Sequence, residues 1–130
     1  MADFSSALDV LSSGMRGQGQ RLRHVAENIA NVDTPGYRRK LASFEAVMER
    51  GAATGEVEPG RVTLDRRELS RVRDPGHPLA GPDGFYDGSN VDLVVEIADA
   101  REAQRSFEAN LKMFDQARQM TRALMDLLRR

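Results

Sequence analysis

Apolar residues recur at alternating three- and four-residue spacings along two long stretches, one near each end of the chain. The carboxy-terminal stretch, residues 90–130, contains neither proline nor glycine, and its spacing predicts one continuous amphipathic helix. Either Ser89 with Asp92, or Asn90 alone, is suited to cap its start. Such a helix would be roughly 55–60 Å long, about twice the span of a small domain, so we expect it to project or to lie along an equally long partner.

The amino-terminal stretch, residues 4–31, has a heptad-like seam but also contains three glycines. Gly14, Gly17 and Gly19 each cost about 1 kcal/mol relative to alanine inside a helix. We therefore expect this segment to be frayed or disordered until its seam is covered, and a loop between two short helices is the alternative. The seam consists of Phe4, Leu8, Leu11, Met15, Gln18, Leu22, Val25 and Ile29.

Between the two helical stretches the chain is rich in turns and charges. The pair Pro35-Gly36 requires a turn that no helix passes through. The spacing of Phe44, Val47 and Met48 indicates a short amphipathic helix. Short strands are predicted over residues 62–64 and 69–72.

These elements predict a mainly α fold. Long amino- and carboxy-terminal helices are expected to pair as a coiled-coil-like hairpin, with a short β-rich or irregular segment in the middle. The predicted segments are residues 1–36 (helix and turn), 37–88 (turn-rich connection) and 89–130 (long helix). Since two helices do not cover both apolar stripes, we expect other chains to cover the remainder.

Composition and charge narrow the functional classes. The chain has 19 basic and 20 acidic residues, for a net charge of −1, so no basic footprint indicates nucleic-acid binding. It has no cysteine, which excludes disulfides and thiolate metal sites. We expect no membrane-spanning segment, because no run approaches 18 apolar residues. The first 14 residues lack the basic start and apolar block of a secretory signal peptide.

Candidate catalytic residues are few. His24 lies in the amino-terminal helical stretch and is expected at a surface or an interface. His77 lies in a turn, where a structural role is expected. Two histidines without cysteine form no metal-binding spacing, so no catalytic, cofactor-binding or metal site is predicted. A small hydrolase that uses His77 and Asp74 is an open alternative.

Two long motifs carry a resemblance to a known family. Residues 20–37 read QRLRHVAENIANVDTPGY and closely resemble the amino-terminal signature of the bacterial flagellar rod, hook and hook-associated proteins. Residues 89–96 (SNVDLVVE) and 105–110 (RSFEAN) resemble the carboxy-terminal signature of that family. Residues 74–80 (DPGHPLA) resemble its short proximal-rod members. The motif residues singled out are Asn28, Asn31, Thr34, Pro35, Gly36, Tyr37, Asn90, Val91 and Asn110.

The resemblance implies a structural subunit of the flagellar basal-body rod, located in the periplasm. It also implies export through the flagellar type III apparatus without a cleaved signal, and assembly with other rod subunits and with itself into a helical drive shaft that carries torque to the hook. It implies no cofactor, no small-molecule substrate and no nucleic acid. The alternatives are another short rod protein, or a cytoplasmic helical adaptor or chaperone-like dimer.

The residues expected at the subunit interface belong to the apolar rows of the two helices. We expect the helices to pair with each other and to present the apolar surface that remains to neighbouring subunits. The candidates are Phe4, Leu8, Leu11, Met15, Leu22, Val25, Ile29, Phe107, Leu111, Phe114, Leu124 and Leu128.

Overall fold

A computed structural model describes residues 2–130 of the chain. Its first element, α1 (Ala2–Ala30), is one continuous helix, so the alternative of two short helices separated by a loop is wrong. The helix ends at Ala30, within one residue of the end that the sequence predicts. Asn31 N still donates to Glu27 O at 3.1 Å, and the chain turns after this hydrogen bond.

Two of the three glycines in α1 lie where another element packs directly on the helix. A β-carbon at Gly14 would lie 2.9 Å from Asn110 Nδ2 on the second helix, and one at Gly17 would overlap the ring of Phe44. Gly19 faces open space. The low helix propensity of Gly14 and Gly17 is therefore accompanied by a close approach that a side chain would prevent.

The described residues between the helices form six short strands in three separate antiparallel pairs. The strands predicted near residues 62–64 and 69–72 are present with shifted bounds. The pairs are β1 (Lys40–Leu41) with β4 (Thr63–Leu64), β2 (Phe44–Glu49) with β3 (Ala52–Pro59), and β5 (Arg71–Arg73) with β6 (Phe85–Asp87).

Phe44, Val47 and Met48 lie on strand β2, so the short helix that their spacing indicates is wrong. Strands β2 and β3 form a hairpin whose turn, residues 50–51, has positive φ angles of 50° and 83°. The spacing of the three apolar residues is that of a helix, and the strand accommodates it with an irregularity in register between Ala46 and Met48. The packing of the Phe44 ring on α1 at Gly17 favours the strand.

The second helix, α2, spans Leu93–Arg129 and is about 55 Å long at 1.5 Å per residue. Its N-cap is Asp92, whose side chain accepts a hydrogen bond from Val94 N at 3.0 Å. Ser89 and Asn90, the other candidates for the cap, make different contacts. No described helix combines the length and hydropathy that crossing a bilayer requires.

The two helices lie antiparallel. Asn28 near the end of α1 contacts Glu96 near the start of α2, and Gly14 approaches Asn110 further along. If both helices rise equally per residue, this register places about the last seven residues of α2 beyond the first residue of α1. The mainly α fold with a small β-rich middle is confirmed, while coiled-coil packing between the helices stays a prediction.

The interior of the described chain is small and largely polar. Val25 and Ala103 are its fully buried apolar residues. Hydrogen bonds and ion pairs therefore help to hold the fold together, alongside the partly covered apolar rows of the two helices. The buried polar or charged residues are Ser13, His24, Asn28, Asp65, Ser89 and Glu96.

Candidate functional site

Asn28, in the amino-terminal motif, is the centre of a polar cluster at the closed end of the helical hairpin. Its side chain is 1 % exposed. Its Oδ1 accepts from Tyr37 Oη at 2.8 Å and from Lys40 N at 2.9 Å. Its Nδ2 donates to Lys40 O at 3.1 Å and to Glu96 Oε2 at 3.3 Å. All four hydrogen-bonding positions of the amide are filled, so Asn28 joins α1, β1 and α2.

Asn31 and Thr34 shape the turn that follows α1. Asn31 Nδ2 donates to Glu27 O at 2.8 Å, and Thr34 Oγ1 donates to Asn31 Oδ1 at 3.1 Å. The Asn31 side chain thereby adds a second hydrogen bond to a carbonyl of the last helical turn, which also accepts from Asn31 N, and it links the helix to the turn.

Gly36 connects the turn after α1 to the end of strand β6, which precedes α2 in the chain. Its φ angle is +76°, a conformation that favours glycine, and it follows Pro35 as in a proline–glycine turn. Its backbone N–H lies 3.2 Å from Asp87 O and 3.1 Å from Gly88 O. A residue with a side chain would be strained here.

Asn90 supports the same turn from the carboxy-terminal motif. Its Oδ1 accepts from Arg39 N at 2.7 Å, and its Nδ2 donates to Asp65 O at 3.0 Å and to Arg67 O at 3.2 Å. Its backbone N donates to Tyr37 O at 3.3 Å. Asn90 therefore bridges both sides of the connection rather than capping α2.

Ser89 and Val91 extend this bridge. Ser89 Oγ donates to Val32 O and accepts from Val91 N at 3.4 Å. The amino- and carboxy-terminal motifs, separated by some fifty residues in sequence, are therefore in direct contact, with one exception. Asn110 lies apart from this cluster, near Gly14.

Arg39 supplies the charge at the centre of the cluster. Its Nε donates to Glu96 Oε1, its Nη2 donates to Asp99 Oδ2 at 2.7 Å, and its Nη1 lies 3.8 Å from Asp65 Oδ2. Glu96 is fully buried. A buried carboxylate is stable only when it is paired and hydrogen-bonded, and here Arg39 and Asn28 fulfil both conditions.

Sequence reasoning did not single out Arg39, Asp65 or Glu96. One signal was present for Glu96, because extending the apolar row of α2 backwards from Asn110 in steps of seven reaches Ala103 and then Glu96. A charged residue at a position of an apolar row indicates a buried ion pair. Its partner, Arg39, lies between the turn and β1, where no periodic pattern marks it.

Neighbouring ion pairs shift the pKa of several groups in and around the cluster. The hydrogen bond between Lys40 Nζ and Glu27 Oε2, 2.6 Å long, lowers the pKa of Glu27 and raises that of Lys40. The side-chain hydrogen bonds from Arg67 lower the pKa of the Asp65 carboxyl. Burial raises the pKa of the Tyr37 phenol. The lowered pKa values of Glu27 and Asp65 and the raised pKa of Lys40 mean that the ionised states of these three groups favour the folded hairpin near neutral pH.

The two histidines do not form a catalytic arrangement with nearby acids. His24 is buried, and neither ring nitrogen has a hydrogen-bond partner among the described residues. His77 stacks on Tyr86 with ring centroids 4.0 Å apart, and its Nδ1 accepts from Leu79 N. Asp74 Oδ1 accepts from Gly76 N, so the side chains proposed for a hydrolase each bind backbone in their own turn.

Most of the predicted subunit-interface residues are at least partly covered within the chain. Val25 is buried, whereas Leu111 and Leu128 are 39 % and 73 % exposed. Their role in contacts between subunits stays a prediction. The predicted interface residues differ in how much of each side chain remains exposed for such a contact. Those of intermediate burial are Phe4, Leu8, Leu11, Met15, Leu22, Ile29, Phe107, Phe114 and Leu124.

The open apolar surface lies mainly on α2. Of the fifteen exposed large apolar residues in the described chain, ten belong to α2 and none to α1. Helix α1 is covered by α2 on one side and by the β2–β3 hairpin on another. The ten residues, here called the open face of α2, are Leu93, Val94, Val95, Ile97, Leu111, Met113, Met120, Met125, Leu127 and Leu128.

Comparison with known proteins places both motifs in one family. A family model described as flagella basal body rod protein matches residues 8–38. A second model, the C-terminal part of the flagellar basal body rod FlgEFG proteins, matches residues 83–127. The matched ranges contain Asn28, Tyr37, Asn90 and Glu96, which meet in the cluster.

Curated relatives match almost the full length of the chain. The flagellar basal-body rod protein FlgC of Agrobacterium fabrum is 38 % identical over 136 aligned residues, covering 99 % of this chain and 98 % of its own. FlgC of Aquifex aeolicus is 36 % identical over 88 % of this chain and 89 % of its own. FlgC of Escherichia coli O6:H1 is 34 % identical over 86 % and 88 %.

Proposed function

Because this chain belongs to the FlgC family of flagellar basal-body rod proteins, it is a structural subunit of the rod, and we propose that it assembles through the open face of α2. The polar cluster around Asn28 and Arg39 has a supporting role in this proposal. It joins the two helices at one end and so sets which side of α2 remains uncovered.

The observation that carries the proposal is the unequal exposure of the two helices. Groups of exposed apolar side chains mark interaction surfaces in a soluble protein. On α2 they form two groups, one near its start that includes Val94, which is 76 % exposed, and one along its second half that includes Leu128, which is 73 % exposed. Burial of several such side chains against neighbours would stabilise an assembly by about 1.5–3 kcal/mol each before ordering costs.

A contact between unlike surfaces that does not close into a ring generates a helical assembly. We propose that the open face of α2 contacts a different surface on the next rod subunit, so that copies of this chain and other rod subunits form a helical shaft that transmits torque. The hydrogen-bonded closed end of the hairpin would keep each subunit from shearing under that load.

We further propose that the subunit is exported by the flagellar type III apparatus and resides in the periplasmic part of the basal body. The family supports this placement, and fractionation tests it, because a rod subunit should co-purify with basal bodies. The cytoplasmic adaptor or chaperone-like dimer and the other short rod protein, FlgB, are not favoured, since the curated relatives reported above are FlgC proteins. The proposed role includes no enzymatic step.

The test introduces a charge into the open face of α2. Val94→Asp and Met113→Asp change side chains that are 76 % and 58 % exposed, so each should alter the free energy of unfolding by less than about 0.5 kcal/mol. Both are expected to be exported but absent from purified basal bodies, with loss of swimming in soft agar.

The matched control is Gln104→Asp, which adds the same charge at an exposed polar position of the same helix. It should assemble and support motility. Normal incorporation of both Val94→Asp and Met113→Asp would contradict the proposed interface.

A further inference from the structure

Next to the polar cluster, three arginines line an open groove beside the β1–β4 strand pair. The groove has a volume of about 840 Å³ and is lined by Arg38, Arg61 and Arg66 together with the apolar side chains of Leu41, Val62 and Leu64. None of the three guanidinium groups lies within 4 Å of a carboxylate in the described chain.

The charge of Arg38 is held in place but not neutralised. Arg38 Nη1 donates to the backbone carbonyls of Asp65 and Arg67 at 3.2 and 3.1 Å. Asp65, the acid in the groove wall, directs its carboxylate to the guanidinium groups of Arg67 and Arg39. Since backbone carbonyls carry no net charge, the groove presents three positive charges beside the side chains of Leu41, Val62 and Leu64.

A surface of opposite charge lies on the β2–β3 hairpin. Glu45 and Glu58 are direct cross-strand partners, and Glu56 is two residues from Glu58 on the same strand, so the three carboxylates share one face. No basic side chain lies within 4 Å of any of them among the described residues. Like charges directly opposite each other destabilise a strand pair, so the free subunit carries an uncompensated repulsion here.

The acidic face is not free to fold onto the groove of its own chain. Phe44 points to the opposite face of the hairpin and packs on Gly17 of α1. Val57 N donates to Ser13 Oγ of α1 at 3.1 Å. These contacts fix one side of the hairpin to α1 and direct the carboxylates away from it.

We propose that the arginine groove of one subunit receives the acidic face of the β2–β3 hairpin from a second copy of this chain. Three arginines and three glutamates are complementary in number and sign, and the pairing removes the repulsion between Glu45 and Glu58. The groove and the hairpin are different surfaces, so the contact is heterologous and suits a helical assembly. The inference rests on the proposed function in that copies of this chain are neighbours in the rod.

Charge reversal in two separate chains tests the contact. One chain carries Glu45→Arg and Glu58→Arg, and the other carries Arg61→Glu and Arg66→Glu; all four positions are exposed. Each chain expressed alone is expected to enter basal bodies at least about tenfold less than the unaltered chain, because like charges then face each other. Co-expression is expected to restore incorporation, since the reversed hairpin of one chain fits the reversed groove of the other.

Normal incorporation of either reversed chain alone would overturn the proposal, as would failure of co-expression to restore it. Either result, combined with blocked assembly by Met113→Asp, would leave the open face of α2 as the interface and remove only the groove contact. Thermal unfolding of each purified chain, expected to match that of the unaltered protein, separates loss of the contact from loss of the fold.

A second measurement uses the absence of cysteine from the chain. A Glu45→Cys chain and an Arg66→Cys chain, assembled together and oxidised, are expected to form a disulfide-linked dimer. Pairing Glu45→Cys with Arg23→Cys, an exposed arginine on α1, is the control and should give none. Absence of the expected dimer in assembled rods would also overturn the proposal.

Discussion

Asn28 connects three chain segments through one side chain, and its environment explains why an amide is present there. Its Oδ1 accepts two hydrogen bonds and its Nδ2 donates two. An aspartate at this position would have no donor, and a leucine would leave Lys40 N and Tyr37 Oη without partners. An unsatisfied buried polar group costs more than the net contribution of the hydrogen bond it has lost.

Asn28→Ala is therefore expected to lower the free energy of unfolding by about 2–3 kcal/mol. Urea unfolding followed by circular dichroism measures the change. Asn31→Ala is the matched control, because its amide bonds only to local groups, and it should lower stability by about 1 kcal/mol or less. Equal losses in the two variants would show that the cluster has no special role.

The carboxyl group of Asp65 leads to a prediction about how the stability of the fold changes in acid. Hydrogen bonds from Arg67 hold its pKa below the ordinary value of 3.8. A lowered pKa in the folded state stabilises that state at pH above the ordinary pKa, and this stabilisation is lost as the pH falls from about 4 through the folded pKa. Asp65→Asn should therefore be less stable near neutral pH and should lose stability less steeply in acid.

Urea unfolding at about pH 7, 4 and 3 tests this expectation for the unaltered chain and for Asp65→Asn. Glu27, whose pKa is also lowered, has the same sign, so the variant keeps part of the acid dependence. Identical pH profiles for both proteins would contradict the assignment to Asp65.

At the scale of the element, α1 shows how packing outweighs helix propensity. Gly17 lies under the Phe44 ring, whereas Gly19 has no neighbour within 4 Å. Alanine is favoured over glycine by about 1 kcal/mol at both positions if only the helix is considered. At Gly17 the added methyl group meets an aromatic ring, and overpacking costs about 1–3 kcal/mol.

Gly17→Ala is expected to lower the melting temperature, while Gly19→Ala is expected to raise it by the equivalent of up to about 1 kcal/mol. Thermal unfolding of the two variants side by side provides the comparison. A rise in both would mean that the β2–β3 hairpin is free to move away from α1.

Helix α2 differs from α1 in what covers it. Helix α1 has α2 on one side and the β2–β3 hairpin on another, while ten exposed apolar residues remain on α2. The interface residues expected from the sequence lie on both helices, because both have apolar rows. The frayed amino-terminal segment expected from its glycines stays a prediction for the free subunit.

At the scale of the whole molecule, the end of α2 extends beyond α1 and carries uncovered apolar residues. Leu127 and Leu128 are 65 % and 73 % exposed. The purified chain is expected to associate with itself as its concentration rises, and Leu127→Asp with Leu128→Asp should reduce that association while leaving its melting temperature unchanged. Sedimentation velocity measures both proteins, and an unaltered chain that stays monomeric at every concentration would contradict this expectation.

Both long helices and the turn at Pro35-Gly36 could be predicted from the sequence, because periodicity and turn chemistry are local. Strand β2 could not, since Phe44, Val47 and Met48 are spaced as in a helix and the strand has an irregular register between Ala46 and Met48. Only some residues of the polar cluster could be identified from the sequence. Asn28, Tyr37 and Asn90 came from a family resemblance, whereas the pairing of Arg39 with Glu96 joins residues 57 positions apart that no local pattern connects.

The positions of the helices, the turn between them and the family motifs follow from the amino-acid sequence alone, because each of these depends on residues close together in the chain. The burial of Glu96 with Arg39, the packing of β2 and β3 on α1 and the open face of α2 become visible only when the chain is folded. The physical reason is that an apolar row shows only that a side chain gains by burial. Which neighbour buries it, if any, depends on elements that approach from distant parts of the chain.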